Sequence, residues 1–365
     1  MRFSTVREPL LEALQKVAGV IERRSTLPIL ANVLLRVEDG RLTLVGTDLE
    51  VELITAIAVE GEDGETTVPA RKLLDICRLL PTGTPVQCRL RDGRNLEVKA
   101  GRSRFALATL GSENFPEFRL QGEETRTEIN SETLQRLLAK TTYAMALQDV
   151  RYYLNGLLLE LDGDSVRAVA SDGHRLAFSE ARLETPVEGV RQPILPRKGV
   201  QELARLLEGD DTIVIRLTPN AIRLELPEAI FSAKLIDGRY PDYRRVFPSE
   251  VSRVLTADRQ TLKEAISRVS ILSNEQYRGI RLDVEPGRLS LSAHNPDQEE
   301  AEEELEVHYE GKPFSVGFNA AYLTDAVTHL DADSIRLSFA EPNFSCLAED
   351  PEDPSTRFII MPMRL

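Results

Sequence analysis

The chain has 365 residues, 42% hydrophobic and 28% charged, a balance that excludes disorder and calls for two or three domains rather than one core. Its formal net charge of −14 argues against a basic nucleic-acid footprint over the whole surface, although a segregated positive face stays compatible with phosphate contact. Cys77, Cys88 and Cys346 form no CxxC pair and read as buried small hydrophobes of a reducing compartment, not as a disulfide framework or a zinc site. The opening "MRFSTVREPLLEALQ" lacks a secretory pattern, and apolar runs such as "GLLLEL" are too short for a bilayer. A cytoplasmic protein with no membrane partner is expected.

In chain order, "RFSTV" (2–6) alternates like a strand, and "REPLLEALQKVAGVI" (7–21) sets Leu10, Leu11, Leu14 and Val17 on one helical stripe. "LPILANVLLRV" (27–37), "RLTLVGTD" (41–48) and "VELITAIAV" (51–59) read as strands divided by the turn "EDG" (38–40). "ARKLLDICRLL" (70–80) predicts a second helix, followed by the strands "VQCRLRD" (86–92), "RNLEVKA" (94–100) and "RFALATL" (104–110). Strand, helix and antiparallel strands, taken twice, indicate an α+β class with each pair of helices packed on antiparallel sheets.

The pattern then recurs. "ILANVLLRVEDGRLTLVGTDLE" (29–50) is answered by "YLNGLLLELDGDSVRAVASDGHR" (153–175), with Asp48 and Asp172 124 apart, and more weakly by "YRGIRLDVEPGRLSLSAHNPDQE" (277–299). "TTVPARKLLDICRLLP", "QPILPRKGVQELARLLEG" and "KPFSVGFNAAYLTDAVTHL" form a second series, and the unit ends share Pro116, Pro241 and Pro362. A period of whole-domain size excludes a solenoid. It places three repeated domains at 1–122, 126–250 and 252–365.

The helices carry a cationic excess within an acidic chain: Arg71 and Arg78 share a face, as do Lys198 and Arg205, while "NAAYLTDAVTHL" carries no Lys or Arg. Each helix alone reads as a solvated face; together they suggest a positive surface for phosphates. In "QDVRYYLNG" (148–156) the two tyrosines could stack on bases or be ordinary strand aromatics, one inward and one outward. Arg102 and Arg104 alternate around Phe105 and Leu107 in "GRSRFAL", as on an edge strand, and the acidic run around Glu299–Glu304 could complement them in a head-to-tail contact that closes a ring.

Ser171, Asp172 and His174 in "SDGHRLAF" raise the question of a hydrolase. Neighbours on an extended segment point to opposite faces, and the repeat positions Thr47–Asp48–Leu49–Glu50 and Asn295–Pro296–Asp297–Gln298 lack the histidine. No GxSxG elbow, P-loop or HExxH is present, so no catalytic residue, metal or cofactor is assigned. A hydrolase using Ser171 and His174, or a monomeric scaffold that never closes a ring, is the alternative reading.

Taken together, "STLPILANVLL", "GTDLE", "TVPARKLLDICR", "GRSRF", "QDVRYYLNG", "SDGHRLA", "LPRKGV", "DGRYPDYRR", "NPDQEEAEE" and "MPMRL" resemble the bacterial sliding clamps, the beta subunits of DNA polymerase III, over the whole chain. The resemblance implies a head-to-tail homodimeric ring of clamp domains without catalytic activity, closed around duplex DNA by an ATP-driven clamp loader and tethering DNA polymerase subunits. It carries DNA contact to Arg24, Gln148, Tyr152 and Tyr153, with Arg71, Lys72, Arg78, Arg197, Lys198 and Arg205 as a positive lining. It also carries a pocket for peptides rich in Gln, Leu and Phe to Leu154, Ser171, Gly173, His174, Arg175, Leu176, Pro241, Arg245, Val246, Asn319, Tyr322, Ile359, Met361, Pro362, Met363 and Arg364. The dimer contact would join Arg102, Arg104, Phe105 and Leu107 to Ile271, Leu272, Glu299, Glu300 and Glu303. "EPNFS" (341–345) departs from the pattern, which places a smaller apolar residue near Asn343 or Phe344.

Overall fold

Six α-helices form among the residues that the computed structural model describes, 1–22, 26–248, 250–340 and 345–364. They are α1 (Arg7–Ala18), α2 (Ala70–Leu79), α3 (Ser131–Thr141), α4 (Arg197–Leu206), α5 (Arg259–Val269) and α6 (Ala320–His329). Helix α1 buries Leu10, Ala13, Leu14 and Val17. Leu11, expected on the same stripe, is only half-buried because it sits about 100° round the helix from Leu10. The Asp258 carboxylate caps α5 by accepting from Thr261 N (2.7 Å), and Asn319 Oδ1 caps α6 by accepting from Ala321 N (2.9 Å).

The strand expected over 27–37 is shorter. Pro28–Ala31 turns as a 3₁₀ segment and the strand begins at Asn32. Proline fixes its φ near helical values and brings no N–H to a ladder. Likewise Tyr152–Asn155 is a 3₁₀ turn and not a strand.

Contacts divide the chain into two units, Met1–Glu132 with Lys198–Leu235, and Thr133–Arg197 with Ile236–Leu365. In the first, an antiparallel sheet runs Gly64–Pro69, Asn32–Glu38, Arg41–Thr47, Val51–Ala58, Ala229–Lys234, Ala221–Leu226, Thr212–Leu217, Thr125–Asn130. A second sheet has the order Glu60–Glu62, Arg2–Val6, Pro85–Arg91, Asn95–Ala100, Ser103–Ala108. Helix α1 packs on α2 and on the strands Arg41–Thr47 and Val51–Ala58.

In the second unit, Arg253–Asp258, Ser334–Phe339, Cys346–Glu349, Thr356–Ile360, Arg175–Arg191, Gly156–Ser171 and Ile194–Pro196 form one antiparallel sheet, and Glu300–Glu306, Arg288–His294, Gly279–Glu285 and Phe314–Asn319 another. The pairing of Arg175–Arg191 with Thr356–Ile360 sets Leu176 against Ile359, which draws the C-terminal segment onto the "SDGHR" turn. All three cysteines are free and buried; burial pushes the Cys77 thiol up to about 11, which suits an unreactive role.

Candidate functional site

The turn at Asp172 is built by its own side chains. Asp172 Oδ1 accepts from His174 N (2.9 Å) and Arg175 N (3.0 Å), and Ser171 Oγ donates to Arg175 O (2.7 Å) while accepting from Gly173 N (3.1 Å). Gly173 has φ +88°, and a Cβ there would lie 2.6 Å from the Arg151 guanidinium. Thr47 repeats the serine pattern, donating to Val51 O at 2.9 Å and accepting from Leu49 N at 3.1 Å. The Ser171 hydroxyl therefore serves the backbone of a repeated turn. His174 is exposed, its ring stacked on Tyr322 at 6.3 Å and 20°, and its carbonyl accepts from Met361 N at 2.9 Å.

Arg175 organises the wall behind it. Its guanidinium bonds Asp172 Oδ2 (3.0 Å), Asp325 and Tyr143 O (3.0 Å), and lies 4.6 Å from the Tyr322 ring and 5.2 Å from that of Tyr143. Tyr143 and Asp325 escaped the sequence reading. The one signal was that α6, the helix without Lys or Arg, carries Tyr322 and Asp325 three apart, on one face. Burial and the Asp172 charge raise the Tyr322 phenol above its ordinary range, so it keeps its proton.

Beneath the turn lies an apolar floor of Ala146, Leu154, Leu158, Val169, Leu176, Phe178, Ile194, Tyr240, Tyr243 and Ile359, with Tyr153, Val246, Phe247 and Leu347 half-buried on it. Leu154, Leu176, Val246 and Ile359 of the expected pocket are thus brought together. Pro241 and Arg245 are exposed beside Tyr240 and Tyr243, and Arg245 bonds Asp242 (3.1 Å). Met361, Pro362 and Met363 are half-buried; Met363 N donates to Gly317 O (2.8 Å), two residues before Asn319. Met363 and exposed Arg364 line a cavity of about 460 Å³ with Asn274, Tyr277 and His294. Tyr243 Oη donates to Glu160 (3.0 Å), whose carboxylate also accepts from Arg167 (3.0 Å) and Gln192 (2.6 Å). Burial opposes ionisation of Glu160, but these bonds and the Arg244 charge hold its carboxyl below the usual range. Asn343 and Phe344 lie outside the described residues.

The cations expected on the helices divide. Lys72 and Arg78 are exposed, Arg78 lying 3.6 Å from Asp75, and Arg71 is half-buried. Lys198 Nζ reaches Val20 O (3.0 Å) and Asp48, while Arg205 donates to Lys16 O (2.8 Å), Gln15 O (3.3 Å) and Glu202 (2.8 Å). Arg197 donates to Met145 O (2.9 Å) and Ala146 O (3.2 Å). Arg205 thus holds the carbonyl end of α1, where orphan acceptors and the helix dipole favour positive charge, and Lys198 holds the chain just beyond it. Gln148 and Tyr152 are exposed on a loop braced by Arg151 on Asp149 (2.9 Å), whereas Tyr153 turns toward the apolar floor. Arg24 lies outside the described residues.

Two of the edge strands are of opposite character. Ser103–Ala108 exposes Arg104, leaves Phe105 half-buried and buries Leu107, and follows exposed Arg102. Arg104 pairs with Glu97. Glu300–Glu306 carries five glutamates; Glu303 pairs with Arg268 (2.6 Å), while Glu299 and Glu300 are exposed. Close to this edge Ile271 is 76% exposed and Leu272 half-buried. Among the described residues no cluster of His, Cys, Asp and Glu is arranged to hold a metal ion, and no helix is long and apolar enough to cross a membrane.

Models of the N-terminal, central and C-terminal domains of the DNA polymerase III beta subunit match residues 1–119, 128–242 and 244–364. The beta sliding clamp of Pseudomonas aeruginosa is 48% identical, with all of both chains covered. The crystal structure of the DNA polymerase III beta-subunit clamp from that organism, bound to griselimycin, superposes with a TM-score of 0.97 at 48% identity over all of both chains. That of the Bartonella birtlesii clamp, also bound to griselimycin, does so at 0.96 and 36%, again over all of both chains.

Proposed function

The chain belongs to the DNA polymerase III beta subunit family, the bacterial sliding clamps, and from that premise we propose how its surfaces do a clamp's work in the bacterial cytoplasm. It functions as a DNA sliding clamp: a homodimeric ring of clamp domains encircles duplex DNA, without sequence preference, and tethers its polymerase. The domains run 1–122, 126–250 and 252–365. In the head-to-tail contact the edge strand of Arg102, Arg104, Phe105 and Leu107 lies along the second copy's Ile271, Leu272, Glu299, Glu300 and Glu303. Unsatisfied ladder groups and opposite charge on the two edges support this pairing.

Exposed Lys72, Arg78, Gln148 and Tyr152, with Arg24, are the direct DNA contacts. Arg71, Arg197, Lys198 and Arg205 add positive charge that acts on phosphates through its field, and Tyr153 backs Tyr152 from the apolar floor. A ring needs no tight grip, so weak and salt-sensitive contacts suffice and sliding stays easy. The chain's work is docking and not chemistry: the Ser171 hydroxyl and the His174 carbonyl are engaged in backbone bonds of the turn and the C-terminal strand, which favours this reading over a hydrolase. DNA polymerase subunits and the clamp loader insert Leu and Phe side chains onto the floor of Leu154, Leu176, Val246 and Ile359. Ser171, Gly173, His174, Arg175, Asn319 and Tyr322 wall the pocket together with the tail Met361, Pro362, Met363 and Arg364, which bonds His174 O and Gly317 O, and Pro241 and Arg245 complete its rim. Docking raises the effective concentration of the polymerase at the template by linkage.

The observation that carries this reading is the apolar floor under the Asp172 turn, closed by the C-terminal strand. Deleting Met361–Leu365 should abolish binding of a fluorescent peptide rich in Gln, Leu and Phe, and shorten primer-extension products to those of polymerase alone, while the solution mass stays at twice the 40.8 kDa chain. Unchanged peptide affinity would overturn the pocket assignment.

A further inference from the structure

The repeat builds the pocket turn twice, on two different floors. Asp48 Oδ1 accepts from Glu50 N (2.9 Å) and Val51 N (2.7 Å), as Asp172 Oδ1 does two and three residues on. Leu49 holds φ +79° where Gly173 holds +88°. Lys234 N donates to Glu50 O at 2.8 Å, the counterpart of Met361 N to His174 O at 2.9 Å. Strand register then fixes which side chains correspond. Leu176, Ile359 and Leu347 lie side by side across three strands of the pocket floor. Glu52, Ser232 and Arg223 occupy the same three places in the first unit.

The apolar trio has thus become a buried polar one. Glu52 is 4% exposed, with its carboxylate 3.7 Å from Arg223. Arg223 Nε donates to Ser232 Oγ (2.9 Å) and its terminal nitrogen to Phe118 O (3.4 Å). Phe118 follows Pro116 by two residues, as Tyr243 follows Pro241. A cavity of about 250 Å³ opens at the Asp48 turn itself, where Leu49, Pro116, Phe118 and Ala221 stand with the charged Glu117, Arg119 and Lys234, so a recess persists there and its chemistry differs. The Lys234–Glu50 pair (3.3 Å) stands where the pocket has Met361 and His174. A leucine or phenylalanine anchor pressed onto Glu52 and Arg223 would strip their remaining water and supply no hydrogen bond in return.

We propose that Glu52, Arg223 and Ser232 deny the Asp48 turn to apolar peptide anchors, so that a chain whose repeat builds two such turns offers one peptide pocket. The polar floor acts as a repulsive element that selects one of two like-shaped sites. This rests on the peptide-pocket reading above.

The test is calorimetric titration of a synthetic peptide rich in Gln, Leu and Phe into three full-length proteins: native, Glu52→Leu/Arg223→Leu/Ser232→Ile, and the milder Glu52→Gln/Arg223→Met. Each is also made without Met361–Leu365, and circular dichroism checks the fold. The native chain should bind one peptide and its truncation none. The triple variant should bind two, and one after truncation. The milder variant should bind one peptide after truncation, where the truncated native chain binds none, and it decides the matter if the triple variant does not fold. One peptide per folded variant, and none after truncation, would overturn the proposal. No binding to the native chain would instead overturn the pocket reading on which it stands.

Discussion

Replacing Arg175 by methionine keeps the aliphatic stem and removes the guanidinium that joins the Asp172 turn to α6. The side chain is 14% exposed; it gives up its bonds to Asp172 Oδ2, Tyr143 O and Asp325 and its place over two tyrosine rings. Breaking a buried pair costs about 3–5 kcal/mol. The lower end applies, because Asp172 keeps two backbone donors and Asp325, 37% exposed, regains water. About 3 kcal/mol of lost local stability corresponds to roughly 100-fold faster opening. Hydrogen exchange read by mass spectrometry on the segments 174–178 and 356–363 should show that acceleration, with Thr212–Leu217 as an unaffected control. Peptide affinity should fall with it. Protection within about threefold of the native chain would refute the reasoning and leave the turn held by its local bonds alone.

Glu52 offers a pH test. Burial pushes its carboxyl up to about 7 against the Arg223 charge and the Phe118 N–H, which lower it, and with Glu117 raising it further. A folded value above the unfolded one means a contribution that is complete below about pH 4.5 and is lost as pH rises through 7, up to about 3 kcal/mol. Thermal unfolding of the native chain relative to Glu52→Gln should therefore worsen between pH 5 and pH 8; a difference independent of pH would count against it. The matched left-handed positions should answer oppositely. Gly173→Ala should destabilise by about 1–2 kcal/mol and Leu49→Gly should stabilise by up to about 1 kcal/mol in denaturant titrations, because only the glycine adopts that backbone freely. The same sign for both would break the equivalence of the two turns.

Much of the fold was legible because the chain repeats itself. The paired Asp48 and Asp172 mark the same turn, and alternating apolar residues mark the strands and their antiparallel order. What hid from the sequence was what lies across a gap in the chain. Helical spacing shows that Lys198 and Arg205 leave α4 together, yet not that they meet the carbonyls of Gln15, Lys16 and Val20. Glu52 in "VELITAIAV" reads as a solvent-facing residue between two buried ones, and only the neighbouring strands that bring Ser232 and Arg223 make it buried. Tyr143 and Asp325 are 182 positions apart and are joined by Arg175. The short turns at Pro28 and Tyr152 broke strands that composition favoured, since a proline or a run of local bonds outweighs β-propensity over four residues.

Topology is the central claim, and it is measured by loading labelled protein with clamp loader and ATP onto nicked circular DNA, passing the complex through a sizing column in high salt, and repeating after one cut. Encirclement predicts that the protein stays with the circle and is lost from the linear form, since a ring slides off a free end. Retention that survives linearisation would contradict it.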